Sequence, residues 1–172
     1  MQRQGITGFG PVYTGASRAL ILGSYPSPKS FEVGFYYGHP QNRFWPLLAA
    51  LFGAALPQSI EEKAALITQN GLALWDSLAT CTITGASDSS ITDAVPNDIA
   101  GLVAKTRIEA VFCNGTAAHR FYHQYCEPQT GLPALRLPST SPANAAWGLP
   151  RLLAAWQPVR AFTAPVSPAG GG

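Results

Sequence analysis

Arg18-Ala19-Leu20-Ile21-Leu22-Gly23-Ser24-Tyr25-Pro26-Ser27 opens a stretch that continues through Phe35-Tyr36-Tyr37-Gly38-His39-Pro40-Gln41-Asn42-Arg43-Phe44-Trp45 and runs from Pro46 to Phe52. An apolar run meets a Gly-Ser-Tyr-Pro-Ser turn, then a loop rich in glycine and aromatic residues. Leu47, Leu48, Leu51 and Phe52 then mark one face of a helix. Strand, punctuated loop and helix in that order form the opening unit of a parallel α/β sheet. Such sheets carry their chemistry just past the carboxyl ends of the strands. Here that place holds Ser24, Tyr25, Tyr37, His39 and Asn42. The connection from Ser24 to Gln41 is long, and long ordered connections usually serve function.

Working outward, 172 residues favour one domain with a sizeable core, expected over residues 1–162, followed by a disordered Pro- and Gly-rich tail over 163–172. With 47% apolar and 12% charged residues and a net charge of +2, no bulk field draws in a polyanion. Nucleic-acid contacts would have to come from a local patch and backbone amides. Cys81, Cys113 and Cys126 are odd in number and lack Cys-x-x-Cys spacing, which argues against a disulfide framework or a zinc or iron–sulfur site. No metal and no cofactor is expected. No signal-peptide pattern and no membrane-length apolar run is visible, so the expectation is a cytoplasmic protein, nucleoid-associated if bacterial, with no membrane partner.

Residues 1–17 are aperiodic and read as an arm lying on the domain. Strands are expected at Arg18 to Gly23, Leu72 to Thr80, Ala110 to Cys113 and Ala134 to Leu137. Helices are expected after Ser59-Ile60-Glu61-Glu62, a capping box, and from Asn97 to Lys105, Thr116 to Tyr125 and Pro150 to Gln157. Residues 81–97, with Ser87-Asp88-Ser89-Ser90, read as a polar loop. Four strands alternating with helices give an α/β fold, a three-layer α/β/α sandwich around a four-stranded parallel sheet.

Three spaced motifs now carry a family resemblance. Gly23-Ser24-Tyr25-Pro26-Ser27, Tyr36 to Trp45, and Leu137-Pro138-Ser139-Thr140-Ser141-Pro142-Ala143-Asn144 resemble the uracil-DNA glycosylase superfamily, and within it the hypoxanthine-DNA (deoxyinosine) glycosylase branch. Ala73-Leu74-Trp75-Asp76 and Phe112-Cys113-Asn114-Gly115 fall at the matching strand ends. The chain departs from relatives that carry Asp or Asn where it has Tyr25, and from those that begin the last motif with His where it has Leu137. Two familiar catalytic groups are therefore absent, and the resemblance implies that Asn42 takes over.

The activity so implied is base-excision repair: hydrolysis of the N-glycosidic bond of a deaminated base, hypoxanthine first with uracil as second candidate, by a monofunctional enzyme. The partner is DNA containing deaminated bases, and the protein is expected to act as a monomer. The chemistry needs a flipped nucleotide, at about a few kcal/mol of unstacking. It also needs a π-face, hydrogen bonds to the base edge, a placed water and stabilisation of the departing base. The resemblance puts Tyr37 on the base face. Asn42 suits orientation of a water, with a helix cap as the alternative role, and the vacated catalytic position favours the former. Asp76 accepts from a purine N–H, assists deprotonation of water, or serves as a buried structural acceptor. His39 stabilises the leaving base or holds its loop. Gly23, Ser24, Tyr25 and Asn114 complete the substrate site, with turn formation the alternative for Asn114. Pro138, Ser139, Thr140, Ser141 and Asn144 form a loop that enters the duplex and meets phosphates, with Lys29, Arg43, Arg136 and Arg151 as a modest basic rim.

Two other readings stay open. Gly23-Ser24 after a first strand resembles the start of flat-sheet (SGNH-like) ester hydrolases with Ser24 as nucleophile, although no Asp-x-x-His pair follows. A catalytically silent lesion binder would keep the same motifs.

Overall fold

The computed structural model describes residues 2–84 and 88–162; Ser87 and the tail from residue 163 lie outside the described residues. The strands are β1 Gln2–Gln4, β2 Ala19–Gly23, β3 Leu72–Asp76, β4 Leu78–Thr84, β5 Thr92–Pro96, β6 Ala110–Asn114 and β7 Ala134–Leu137. The helices are α1 Pro28–Val33, α2 Phe44–Phe52, α3 Ile60–Thr68, α4 Ile99–Ala104, α5 Thr116–Phe121, α6 Glu127–Thr130 and α7 Leu149–Ala155. A π-helical stretch, Tyr122–Cys126, joins α5 to α6.

Four strands form an all-parallel sheet in the order β3-β2-β6-β7. β2 is central and buried at all five positions, which is why its sequence is continuously apolar and does not alternate. Its side chains divide by parity. Ala19 and Ile21 join a core with Phe44, Leu47, Leu48 and Leu51 of α2, Leu66 and Ile67 of α3, and Leu152 of α7. Leu20 and Leu22 face the other layer, with Ile99 and Leu102 of α4, Ala118 of α5, and Tyr122 and Cys126. The expected three-layer sandwich is present. Each fully buried Leu or Ile contributes about 1.5–3 kcal/mol through burial.

Several local expectations need correction. The stretch Leu72 to Thr80 is not one strand. β3 ends at Asp76 because the Ser77 N–H turns to donate to Gly23 O at 2.7 Å and its Oγ to Ala118 O at 3.0 Å. From Leu78 the chain enters a second, antiparallel sheet, β1-β4-β5, so residues 81–97 hold the end of β4 and all of β5 where a loop was expected. The inward Leu78, Cys81 and Ile83 form a third apolar cluster with Tyr25 and Phe121. The arm also has a structural task. Its Val12 exchanges two 2.9 Å backbone hydrogen bonds with Leu74, covering the open edge of β3.

The connection after β2 contains α1, capped by Ser27, whose side chain accepts from Ser30 N–H. Ser59 caps α3 as expected, accepting from Glu62 N–H at 3.1 Å, while Glu62 accepts from Gln58 N–H at 2.7 Å. Thr116 is not a cap. Gly115, at φ 95°, holds that position and no side chain caps α5.

Candidate active site

The carboxyl ends of β2, β3 and β6 converge on a pocket of about 310 Å³. Gly23 closes β2 opposite Asp76 in register, and Asn114 closes β6 opposite Leu137. Gly23, Ser24, Tyr25, Tyr37, His39, Asn42, Asp76, Asn114, Ser139, Thr140 and Ser141 all line this one cavity. Residues far apart in the chain meet there because parallel strands all point the same way.

The floor requires a glycine. A Cβ on Gly23 would lie 2.5 Å from Asp76 Oδ1 and 2.8 Å from Tyr37 Oη, closer than a methyl group can approach either oxygen. The Asp76 side chain is buried, and among the described residues its Oδ2 has no hydrogen-bond partner. Burial, reinforced by the Asp88 carboxylate, pushes the Asp76 carboxyl up to about 7. Burial likewise drives the Tyr37 phenol well above its ordinary range. Tyr37 adopts a left-handed backbone at φ 53°, a conformation costing about 1–2 kcal/mol outside glycine. Its ring stacks on Phe44 with centroids 4.1 Å apart, so Phe44 supports the aromatic wall from behind.

Also in the lining, Asn42 Oδ1 accepts from Phe44 N–H at 2.9 Å and from the Thr140 hydroxyl at 2.8 Å. Thr140 receives Asn114 Nδ2 on its hydroxyl and donates its own N–H to Asn114 Oδ1, each at 3.0 Å. Asn42 Nδ2 bonds none of the described residues.

Arg43 ties this wall to the loop that follows β7. Its guanidinium donates to the carbonyls of Thr140 (3.2 Å), Ser141 (2.9 Å), Asn144 (3.1 Å) and Trp147. Its backbone N–H also reaches Thr140 O at 3.1 Å. The loop bonds to itself as well: Ser139 Oγ accepts from Ser141 N–H, Ser141 Oγ from Ala143 N–H, and Asn144 Nδ2 donates to Ser139 O. Trp156, fully buried, donates its indole N–H to Pro138 O at 3.0 Å.

The family model of the Uracil DNA glycosylase superfamily matches residues 11–160. The chain belongs to the uracil DNA glycosylase superfamily. Its enzyme class is DNA glycosylase, and its substrate is DNA. It is 35% identical over 144 residues to a hypoxanthine DNA glycosylase of Methanosarcina acetivorans, covering 80% of this chain and 87% of that protein. It is 39% identical over 88 residues to a hypoxanthine DNA glycosylase of Methanosarcina barkeri, covering 50% of this chain and 55% of that one. An NMR solution structure of a candidate uracil DNA glycosylase from Methanosarcina acetivorans superposes with a TM-score of 0.75 at 29% identity. That match covers 92% of this chain and 99% of the other.

Within this glycosylase, several residues sit differently from their expected roles. Thr140, expected at DNA phosphates, is fully buried and turned inward on Asn42 and Asn114. Arg43, expected in the basic rim, spends its guanidinium on loop carbonyls. Both ends of the Asn114 amide hold Thr140, so the residue fastens the loop to β6. Pro138 and Asn144 lie outside the main pocket and line an adjoining hollow of about 590 Å³ that also includes Arg136 and Trp147. Arg151 lies over the Trp147 ring, 3.6 Å from its centroid, and Lys29 pairs with Glu32 at 3.6 Å. The Tyr25 hydroxyl donates to Ile6 O, which ties the first motif to the arm. His39 Nδ1 accepts from Gln41 N–H at 3.1 Å, so the ring braces its loop through that nitrogen.

Ser24 Oγ donates to Asp88 Oδ1 at 3.0 Å and hydrogen-bonds no imidazole among the described residues, so the serine-esterase arrangement is not built there. The polar run holding Asp88 carried no sign that it would reach Ser24 across the sheet boundary. Arg43 and Thr140 were visible as motif residues, but only the fold shows that they serve the loop and Asn42.

Proposed function

We propose that this DNA glycosylase releases hypoxanthine from deoxyinosine in DNA, with uracil as a second substrate, and that Asn42, Asp76 and Tyr37 carry the work. The observation behind this reading is the pairing, in one pocket, of a buried carboxyl oxygen on Asp76 with an Asn42 amide nitrogen, neither of them bonded among the described residues. The names of the two Methanosarcina relatives point to the same base.

The chemistry follows from the walls. The flipped base lies against Tyr37, whose other face Phe44 already covers. Hypoxanthine and uracil both present an N–H beside a carbonyl, and Asp76 accepts from that N–H once ionised, above about pH 7. Adenine offers a bare ring nitrogen at the same place, which a carboxylate repels. Discrimination therefore rests on an unpaired buried group, the arrangement that gives the largest penalties against a wrong substrate. As the glycosidic bond breaks, charge moves onto the base. Polar groups fixed before the reaction then stabilise it without reorganisation. The loop from Ser139 to Asn144, held rigid by Arg43, meets the duplex beside the pocket, and the protein acts as a monomer.

The test is base release from duplexes carrying inosine, uracil, xanthine or a thymine mismatch, scored as alkali-labile sites. Inosine strands should acquire alkali-labile sites in EDTA, with no borohydride-trapped covalent complex. Asn42→Ala should keep duplex binding and slow single-turnover release by about 10²–10³. Absence of alkali-labile sites on inosine DNA, or release by Asn42→Ala within about threefold of wild type, overturns the assignment.

A further inference from the structure

We infer that Thr140 is a positioning residue that, together with the Phe44 amide, fills both acceptor sites of Asn42 Oδ1, so that Asn42 meets the substrate only as a hydrogen-bond donor. This rests on the glycosylase reading above. The inference stands on a chain of four hydrogen bonds whose protons can be placed from first principles.

Two of the donors are backbone amides, which can only donate. Phe44 N–H points at the Asn42 side chain at 2.9 Å, so the atom there must be the carbonyl oxygen. Thr140 N–H points at Asn114 at 3.0 Å, so that atom too must be oxygen. The Asn114 amide nitrogen is thereby the end that gives its proton to the Thr140 hydroxyl at 3.0 Å. A hydroxyl that has accepted there still has one proton to give, and its remaining partner is Asn42 Oδ1 at 2.8 Å. The proton in each of these four bonds is assigned, and flipping either amide would set an N–H against a backbone N–H.

Asn42 Oδ1 thus already receives two hydrogen bonds, the full capacity of its lone pairs. What remains is Nδ2 with its two N–H groups, unengaged among the described residues, on a side chain that lines the pocket. Thr140 is fully buried, so water does not compete for the bond that holds this orientation.

A donor-only Asn42 cannot take a proton from water. It can stabilise negative charge. In the reaction, the C1′–N9 bond breaks with its electron pair going to the purine, a water oxygen bonds to C1′, and the water's proton ends on the released purine or in solvent. Asn42 keeps its own protons and donates to the acceptor that gains charge. The general-base role, where one is needed, falls to another group.

The test uses full-length protein and inosine duplex at saturating enzyme, with binding measured separately. Thr140→Val removes the hydroxyl at nearly constant shape. It should slow base release about tenfold, as loss of one net hydrogen bond implies, with duplex affinity within about twofold, and Thr140→Ser should recover most of the rate. Asn42→Asp keeps an acceptor of the same shape but has no N–H, and should fall at least as far as Asn42→Ala. An Asn42→Asp enzyme above about a tenth of the wild-type rate overturns the donor assignment, because that variant should lose about 10²–10³. Thr140→Val at the wild-type rate, or Thr140→Ser as slow as Thr140→Val, overturns the positioning role. If Thr140→Val does not fold, by thermal melting, Asn42→Asp and Thr140→Ser decide. A wild-type protein inactive on every deaminated base would instead sink the function proposed above. Activity in wild type with an active Asn42→Asp sinks this inference alone.

Discussion

Replacing Asp76 with Asn should stabilise the protein at alkaline pH while impairing base release. The Asp76 carboxyl is buried, carries an unpartnered oxygen, and has its pKa raised from 3.8 to about 7 by burial and by Asp88. Below about pH 3.8 the group is protonated in both folded and unfolded chains and has no effect on stability. As pH rises from there to about 7, the unfolded chain ionises and the folded one does not, so stability falls. Above 7 the loss is complete. At about 1.4 kcal/mol per tenfold in proton affinity, this comes to about 4 kcal/mol at pH 8 and about 1.7 kcal/mol at pH 5. Urea unfolding of wild type and Asp76→Asn at both pH values isolates the effect, because any fixed difference in packing or hydrogen bonding cancels between them. The variant should gain about 2.5 kcal/mol relative to wild type on going from pH 5 to pH 8. A relative stability that changes by less than about 0.5 kcal/mol over that range would show that Asp76 ionises freely in the fold, and the reasoning fails. The expected result places Asp76 among residues kept for chemistry at the expense of stability.

Gly23→Ala should destabilise the fold by about 1–3 kcal/mol through overpacking against Asp76 and Tyr37. It should also lower base release by about 10², as a misplacement near 1 Å does; wild-type kinetics would mean that the floor yields freely. Arg43→Lys should lose about 2–4 kcal/mol of stability, because an ammonium cannot reproduce the fork that holds four carbonyls. Denaturation midpoints equal to wild type would refute that clamp. Burial pushes the Cys113 thiol up to about 12 and the Cys126 thiol to about 11. Neither should alkylate in native protein at pH 8, while both should react in denaturant, as mass spectrometry will show.

Local patterns carried much of this protein. The run Ala19–Gly23 is apolar at consecutive positions because it is covered on both faces, and that places it at the centre of a parallel sheet. Motif residues at the strand ends had to share one edge of the sheet, since parallel strands deliver their carboxyl ends to the same side. Ser59 caps its helix because a hydroxyl beside a free N–H needs nothing distant.

Other features were decided only in three dimensions, where partners far apart in the chain compete for the same polar groups. The break after Asp76 depends on Gly23 O capturing the Ser77 N–H, a contact no window around residue 77 contains. The Leu78–Thr84 strand exists because the Thr92–Pro96 segment and the arm supply its partners. Arg43 reads as surface charge until four carbonyls of the distant loop close around it. Asn42 could face a substrate with either end of its amide as far as sequence goes. Its orientation follows from the Phe44 amide beside it and from Thr140, 98 residues away, because two donors converging on one oxygen leave only the nitrogen for the pocket.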